Sequence, residues 1–65
     1  MDEYKIISIN DYTIEDSQGY AEKIKLVYFQ DSNMLIDSLS IKDIDFIESN
    51  LQNLIQDYVD SRNQS

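Results

Sequence analysis

The apolar residues of this 65-residue chain follow a strand-like pattern up to about residue 40 and a helical pattern after it. Three segments before that point are rich in isoleucine, tyrosine and valine, which favour β-strands. After it, apolar residues recur at spacings of three and four, which is typical of an amphipathic helix. The pattern predicts one α+β domain spanning residues 1–65, with strands at about 4–15, 20–29 and 34–39 and a helix at about 41–61.

Two turn signals connect the predicted strands as hairpins. The segment Asp16-Ser17-Gln18-Gly19 has Asp at the first position of a type I turn and Gly where a left-handed residue is needed. The segment Gln30-Asp31-Ser32-Asn33 offers Asn in the same left-handed position. Both loops favour antiparallel neighbours, so we expect a three-stranded β-meander with the helix packed on one of its faces.

The loops also predict which residues lie opposite one another. The expected pairs combine apolar with apolar and acidic with basic side chains, which stabilises antiparallel strands. These pairs are Ile7 with Phe29, Ile9 with Val27, Asp11 with Lys25 and, in the second hairpin, Phe29 with Leu35.

The predicted helix starts at a capping pattern, since Ser40 is followed three residues later by Asp43. Phe46 lies in the polar arc of this helix, outside the apolar stripe. Two interpretations of Phe46 stay open: it packs against the strand-to-helix connection near Leu39, or it is an exposed aromatic anchor for a partner. The expected core-facing stripe is Ile44, Ile47, Leu51, Leu54, Ile55, Tyr58 and Val59.

The predicted sheet is apolar on both faces, and one amphipathic helix can cover only one of them. The sequence does not fix which face that is. Three outcomes stay open for the other face. It is solvated, with strand twist and bulges turning some of its side chains round the sheet edge, or it pairs with a second copy, or it binds a partner protein. A homodimer is the simplest of the paired arrangements. The expected self-association residues are Ile7, Ile9, Val27, Phe29 and Leu35.

Acidic side chains outnumber basic ones by 13 to 5, which gives a formal net charge of −8. This charge disfavours direct contact with nucleic acid or an anionic membrane, because their phosphates would be repelled. It favours a larger protein with a basic surface. Whether the acids imitate nucleic acid or only keep the chain in solution stays open. The expected partner-binding residues are Phe46, Asp43, Asp57, Asp60, Asp45 and Glu48.

The sequence has no histidine and no cysteine, which removes imidazole bases, thiol nucleophiles, disulfides and the usual zinc ligands. The single glycine is used by the first turn, so no glycine-rich phosphate loop is present. The segment Asp31-Ser32-Asn33 begins like a calcium loop, but Ile36 and Lys42 occupy positions that need glycine and a bidentate acid. We therefore expect no enzyme activity, no cofactor and no metal site.

The first residues are acidic and no long apolar run follows them, so we expect a cytoplasmic protein without a signal peptide or a membrane span. In size, charge and composition, though without a shared motif, the chain resembles the small acidic proteins that phages use against host enzymes or defence systems. The expected function is a non-enzymatic inhibitor that docks on a larger protein, in one version by occupying a basic nucleic-acid-binding surface. Two alternatives stay open: an accessory or assembly subunit, and an antitoxin-like regulatory homodimer.

Overall fold

A computed structural model describes residues 4–63 as a three-stranded sheet followed by a C-terminal helix. The strand order is β1-β2-β3, and both neighbouring pairs are antiparallel. The prediction of an α+β meander followed by one helix is confirmed. The elements are β1 Lys5–Glu15, β2 Ala21–Gln30, β3 Ile36–Lys42, two 3-10 turns at Asp43–Asp45 and Glu48–Asn50, and helix α1 Leu51–Asn63.

The first hairpin loop has the predicted turn. Asp16 Oδ1 accepts the backbone N–H groups of Gln18 at 2.9 Å and Tyr20 at 3.0 Å. Gly19 has φ +85°, a backbone conformation that glycine adopts without a side-chain penalty. The predicted register therefore holds from this loop back to Ser8, and the pairs Ile9–Val27 and Asp11–Lys25 are confirmed.

The second hairpin loop lies one residue later than predicted, and an aspartate is the reason. Asp31 Oδ1 accepts the backbone N–H groups two and four residues further on, at 2.8 and 2.9 Å. Because this aspartate takes the first position of the turn, the left-handed residue is Met34, with φ 65°, and not Asn33. The register with β3 moves by two residues, so the predicted pairing of Phe29 with Leu35 is wrong.

A β-bulge in β1 changes which of its side chains face the helix. The register shifts between Ile6 and Ser8, so Ile6 lies opposite Phe29 and the predicted pairing of Ile7 with Phe29 is wrong. The extra residue reverses the alternation of side chains at the start of the strand. As a result, Tyr4 and Ile6 pack in the core, whereas Ile7 is exposed.

The core lies between α1 and the face of β2 that carries its odd-numbered residues. Val27 and Phe29 are fully buried there, so their predicted place on a self-association face is wrong. The Phe29 ring packs edge to face between Tyr4 and Tyr58, with ring centroids 5.5 and 6.5 Å away. The buried apolar residues are Tyr4, Val27, Phe29, Ile41, Leu51 and Ile55.

The α-helix begins ten residues later than predicted, because β3 runs through the expected N-cap, Ser40, and two 3-10 turns follow the strand. In the connecting segment, Ile44 is 89% exposed and Ile47 is 55% exposed. Phe46 packs against the core in their place. The expected helical stripe is therefore correct only from Leu51 onward, and the interpretation of Phe46 as an exposed anchor is wrong.

Two glutamines of α1 fasten the helix to the start of β1. Gln52 Oε1 accepts the backbone N–H of Tyr4, and Gln52 Nε2 donates to the Tyr4 carbonyl, both at 2.8 Å. One turn further along, the Tyr4 hydroxyl donates to Gln56 Oε1 at 3.2 Å. These bonds join residues 48 and 52 positions apart in sequence, so they help to close the fold.

Replacing Gln52 by Ala should lower the free energy of unfolding by about 1 kcal/mol, because two backbone groups of Tyr4 lose their partner. Urea denaturation followed by circular dichroism measures this change. Asn53→Ala is the matched control, since Asn53 is an exposed amide of the same helix that donates to Asn50. Equal losses in the two variants would contradict the assigned role of Gln52.

Replacing Phe46 by Ala should lower the free energy of unfolding by about 2 kcal/mol, roughly half the cost at a fully buried phenylalanine. Ile44→Ala should change it by less than about 0.5 kcal/mol, because this side chain is almost fully exposed. Chemical denaturation of the two variants compares them directly. The opposite order of losses would favour the helical stripe that the sequence predicts.

Candidate functional site

Five of the six predicted partner-binding residues are acids, and all five are exposed on the connecting segment and α1. Three lie in the 3-10 turns and two lie on the helix. The sixth, Phe46, is half-buried against the core and does not belong to this surface. The acidic surface, as named from here on, consists of Asp43, Asp45, Glu48, Asp57 and Asp60.

A lysine of β2 neutralises one edge of the acidic surface. Lys25 Nζ lies 2.5 Å from Asp11 Oδ1 and 3.6 Å from Asp43 Oδ1. It also lies 5.3 Å from the centroid of the Phe46 ring, within the range of a cation–π contact. The hydrogen bond to Asp11, reinforced by the charges of both carboxylates, raises the pKa of Lys25. The lysine therefore stays charged and shares its charge between Asp11 and Asp43.

The other four acids carry the uncompensated charge of the surface. Within residues 4–63, no lysine or arginine lies at ion-pair distance from Asp45, Glu48, Asp57 or Asp60. Asp60 Oδ1 accepts a hydrogen bond from Gln56 Nε2 at 2.8 Å, which orients the carboxylate without neutralising it. These four carboxylates are available to attract a positively charged partner.

An ion pair at the end of α1 neutralises a further acid of the helix side. The Arg62 guanidinium donates to Asp37 Oδ2, and the backbone N–H of Ser38 donates to Asp37 Oδ1 at 2.7 Å. The hydrogen bond from Arg62, followed by that from Ser38, lowers the pKa of Asp37. The guanidinium also lies 5.3 Å from the Tyr58 ring. This pair fastens β3 to the helix.

The sheet face that points away from α1, named the open face here, carries little of the acidic charge. Residues opposite each other share a face and neighbours alternate, so the register assigns each strand residue to a side. The charged residues of the open face are Lys5, Glu22 and Lys42, and Lys42 Nζ lies 3.6 Å from Glu22 Oε1. The other strand acids, on the helix side, are Asp11, Glu15 and Asp37.

Apolar side chains form a continuous band on the open face, along β2 and the adjoining part of β1. Ile24 and Leu26 are partly buried by their neighbours in the sheet. Tyr12, Ile14 and Tyr28 are more open, with exposed fractions of 50%, 54% and 38%. The helix lies on the other face, so this open-face band (Tyr12, Ile14, Ile24, Leu26 and Tyr28) has no cover within residues 4–63.

The remaining predicted self-association residues are exposed but lie outside the band. Ile7 is at the bulge, Ile9 is on the helix side opposite Val27, and Leu35 is in the second loop. The sequence interpretation left open which face the helix covers and assigned self-association to odd-numbered residues, so the residues of the open-face band were not among them. One signal for the band is present in the sequence, since the acids of the strands fall mostly at odd positions and Glu22 is the exception.

A groove of about 440 Å³ lies between the second loop and the end of α1. Its titratable groups already have partners: Asp31 accepts the loop N–H groups, and Asp37 is paired with Arg62. Within residues 4–63, no three acids are grouped in a way that could hold a metal ion. Among the helices of that same range, none has the length and apolar character needed to cross a membrane.

Comparison of the chain with protein-family models, with curated proteins and with solved structures finds no match.

Replacing Asp37 by Asn should destabilise the protein at neutral pH and have little effect in acid. Because the folded state lowers the pKa of Asp37 below 3.8, its carboxylate stabilises the fold above that pH. The contribution is lost as the pH falls through the lower, folded-state pKa. Urea denaturation at about pH 6 and at the lowest pH at which the protein is still folded measures the two effects.

Asp57→Asn is the control for this experiment, because no basic side chain within residues 4–63 pairs with Asp57. It should leave the stability at neutral pH nearly unchanged. A loss at Asp37→Asn that has the same size at both pH values would contradict the ion pair with Arg62.

Proposed function

We propose that this protein is a non-enzymatic inhibitor that binds a basic surface of a larger protein through its acidic surface. The observation that carries the proposal is the set of four exposed carboxylates without a basic neighbour in the described part of the chain: Asp45, Glu48, Asp57 and Asp60. Because no basic side chain within residues 4–63 compensates these carboxylates, their negative charge is available to attract a positively charged partner.

The number of charges favours a local basic patch on the partner. The acidic surface carries four uncompensated carboxylates within residues 4–63. Double-stranded DNA, in contrast, carries one charge every ≈1.7 Å of its axis. The acidic surface would therefore replace only a short stretch of phosphates. A protein that binds nucleic acid through such a patch is the kind of partner that fits best.

The absence of histidine and cysteine from the sequence supports a binding role over a catalytic one. A cytoplasmic location is part of the proposal, since no cysteine is present that an oxidising compartment would pair. The size and acidity are also those expected of a phage-like inhibitor directed against a host enzyme or a defence protein.

Affinity capture with the immobilised protein, followed by mass spectrometry, should recover a basic protein that is released by salt. The double variant Glu48→Gln/Asp57→Asn should weaken its binding about tenfold or more, because two uncompensated charges of the acidic surface are removed. Titration of the purified partner by calorimetry measures the affinity, and a nucleic-acid competitor shows whether the two ligands share one surface.

The matched control is Glu15→Lys, which changes the net charge by the same two units on the β1–β2 hairpin and leaves the acidic surface intact. It should bind nearly as well as the unmodified protein. Binding that survives about 1 M NaCl, where charges are screened within about 3 Å, would overturn the proposal. Equal losses in the double variant and the control would also overturn it, because only net charge would then matter.

A further inference from the structure

We infer that two copies of this chain associate through the open-face band, which leaves both acidic surfaces exposed on the outside of the pair. The inference does not rest on the proposed function. It concerns the opposite side of the sheet and is supported by the surface area, the shape of the β1–β2 hairpin and the placement of the charges.

The chain exposes more surface than a monomer of its size normally does. Its accessible surface is 5167 Å², whereas a monomeric protein of 7.6 kDa typically exposes about 4,300 Å². The radius of gyration is 13.0 Å, against about 11 Å for a compact domain of this length. This excess, about 900 Å² over the whole chain, is large enough to include the ≈800 Å² that each partner contributes to a standard interface.

Much of this surface belongs to the end of the first hairpin. The last pair between β2 and β3 is Ile24 with Lys42, so the hairpin beyond Ile24 has only two strands. Residues 9–23 are all exposed, and neither α1 nor β3 covers them. A two-stranded hairpin has marginal stability in water. Tyr12 and Ile14 lie in this part, so a second copy packed on the band would cover them.

The charges favour a second copy of the chain as the occupant. A net charge of −8 would oppose self-association if the acids were spread evenly. Among the strand residues that the structure describes, the open face instead carries one acid, Glu22, together with Lys5 and Lys42. Two such faces can approach each other without the repulsion that the acidic surfaces would cause. A basic partner would be drawn to the helix side, where the uncompensated acids lie.

The charged ends of the open face also indicate the direction of pairing. Lys5 lies at the end of the face where β2 finishes, and Glu22 lies at the end where β2 starts. If the two β2 strands ran in the same direction across the interface, Glu22 of one copy would lie opposite Glu22 of the other, and the two carboxylates would repel each other. With the strands in opposite directions, Glu22 of each copy lies near the Lys5 end of the other. An isologous pair of this second kind is therefore expected.

Sedimentation equilibrium over a dilution series tests the inference with the full chain. The unmodified protein should reach twice its 7.6 kDa mass at high concentration and dissociate on dilution. Tyr28→Glu should raise the dimer dissociation constant about tenfold or more, because each copy then places a carboxylate in the apolar interface between the two bands. Tyr12→Glu is the second variant, since Tyr12 is half exposed and lies outside the core.

Leu35→Glu is the matched control, because it adds the same charge at an exposed apolar residue of the second loop. It should dimerise like the unmodified protein, and circular dichroism confirms that each variant is folded. Association through the band is apolar, so the dimer should persist in about 1 M NaCl, whereas binding of a basic partner to the acidic surface should not.

A protein that stays monomeric at every concentration would overturn the inference. So would a dimer that both tyrosine variants leave unchanged, since another surface would then hold it together. Neither outcome bears on the acidic surface, which the partner titration tests separately.

Discussion

The contacts between α1 and the start of β1 depend on one extra residue in that strand. The bulge at Ile7 reverses the alternation of the strand, so that Tyr4 turns toward α1 instead of the open face. The Tyr4 ring can then pack on Phe29, while its backbone groups bond to Gln52. In a regular strand Tyr4 would point away from Phe29, and these contacts would be lost. The same bulge gives α1, a helix of only 13 residues, its hydrogen bonds to Tyr4 at the start of the sheet.

The fold class and most of the first register could be predicted, because they follow from local signals that agree with one another. The first loop has Asp at its start and Gly at its left-handed position, so only one turn fits. The second loop presented a conflict between Asp31, which suits the first position, and Asn33, which suits the left-handed one. Two hydrogen bonds to the Asp31 carboxylate outweigh the strain at Met34. The sequence reveals both preferences but not their relative strengths.

The start of the helix and the choice of the covered face could not be predicted, because both depend on packing between distant residues. Spacings of three and four extend back from Leu51 to Ile44, yet Ile44 is exposed and Phe46 is placed under Lys25. The bulge moves part of β1 to the other side of the sheet, which no simple alternation rule anticipates. Of the candidate site, the acids of the connecting segment and helix were found from the sequence because exposed charge is a local property. The open-face band could not be singled out between two apolar faces, because the uncovered face depends on where the helix lies.

The separation of charge between the two faces connects stability with binding. In the part of the chain that the structure describes, six buried apolar residues form the core. A core of this size gives a 65-residue chain only a small margin of stability. Pairing through the open-face band would add to that margin by mass action, because the association requires the folded state. The acidic surfaces would remain free, since they lie on the opposite sides of the two sheets. A dimer would then hold two acidic surfaces at a fixed distance from each other. A partner with two basic patches at the same distance would bind the dimer more tightly than it binds a single acidic surface. With a partner of that kind, self-association and partner binding would reinforce each other.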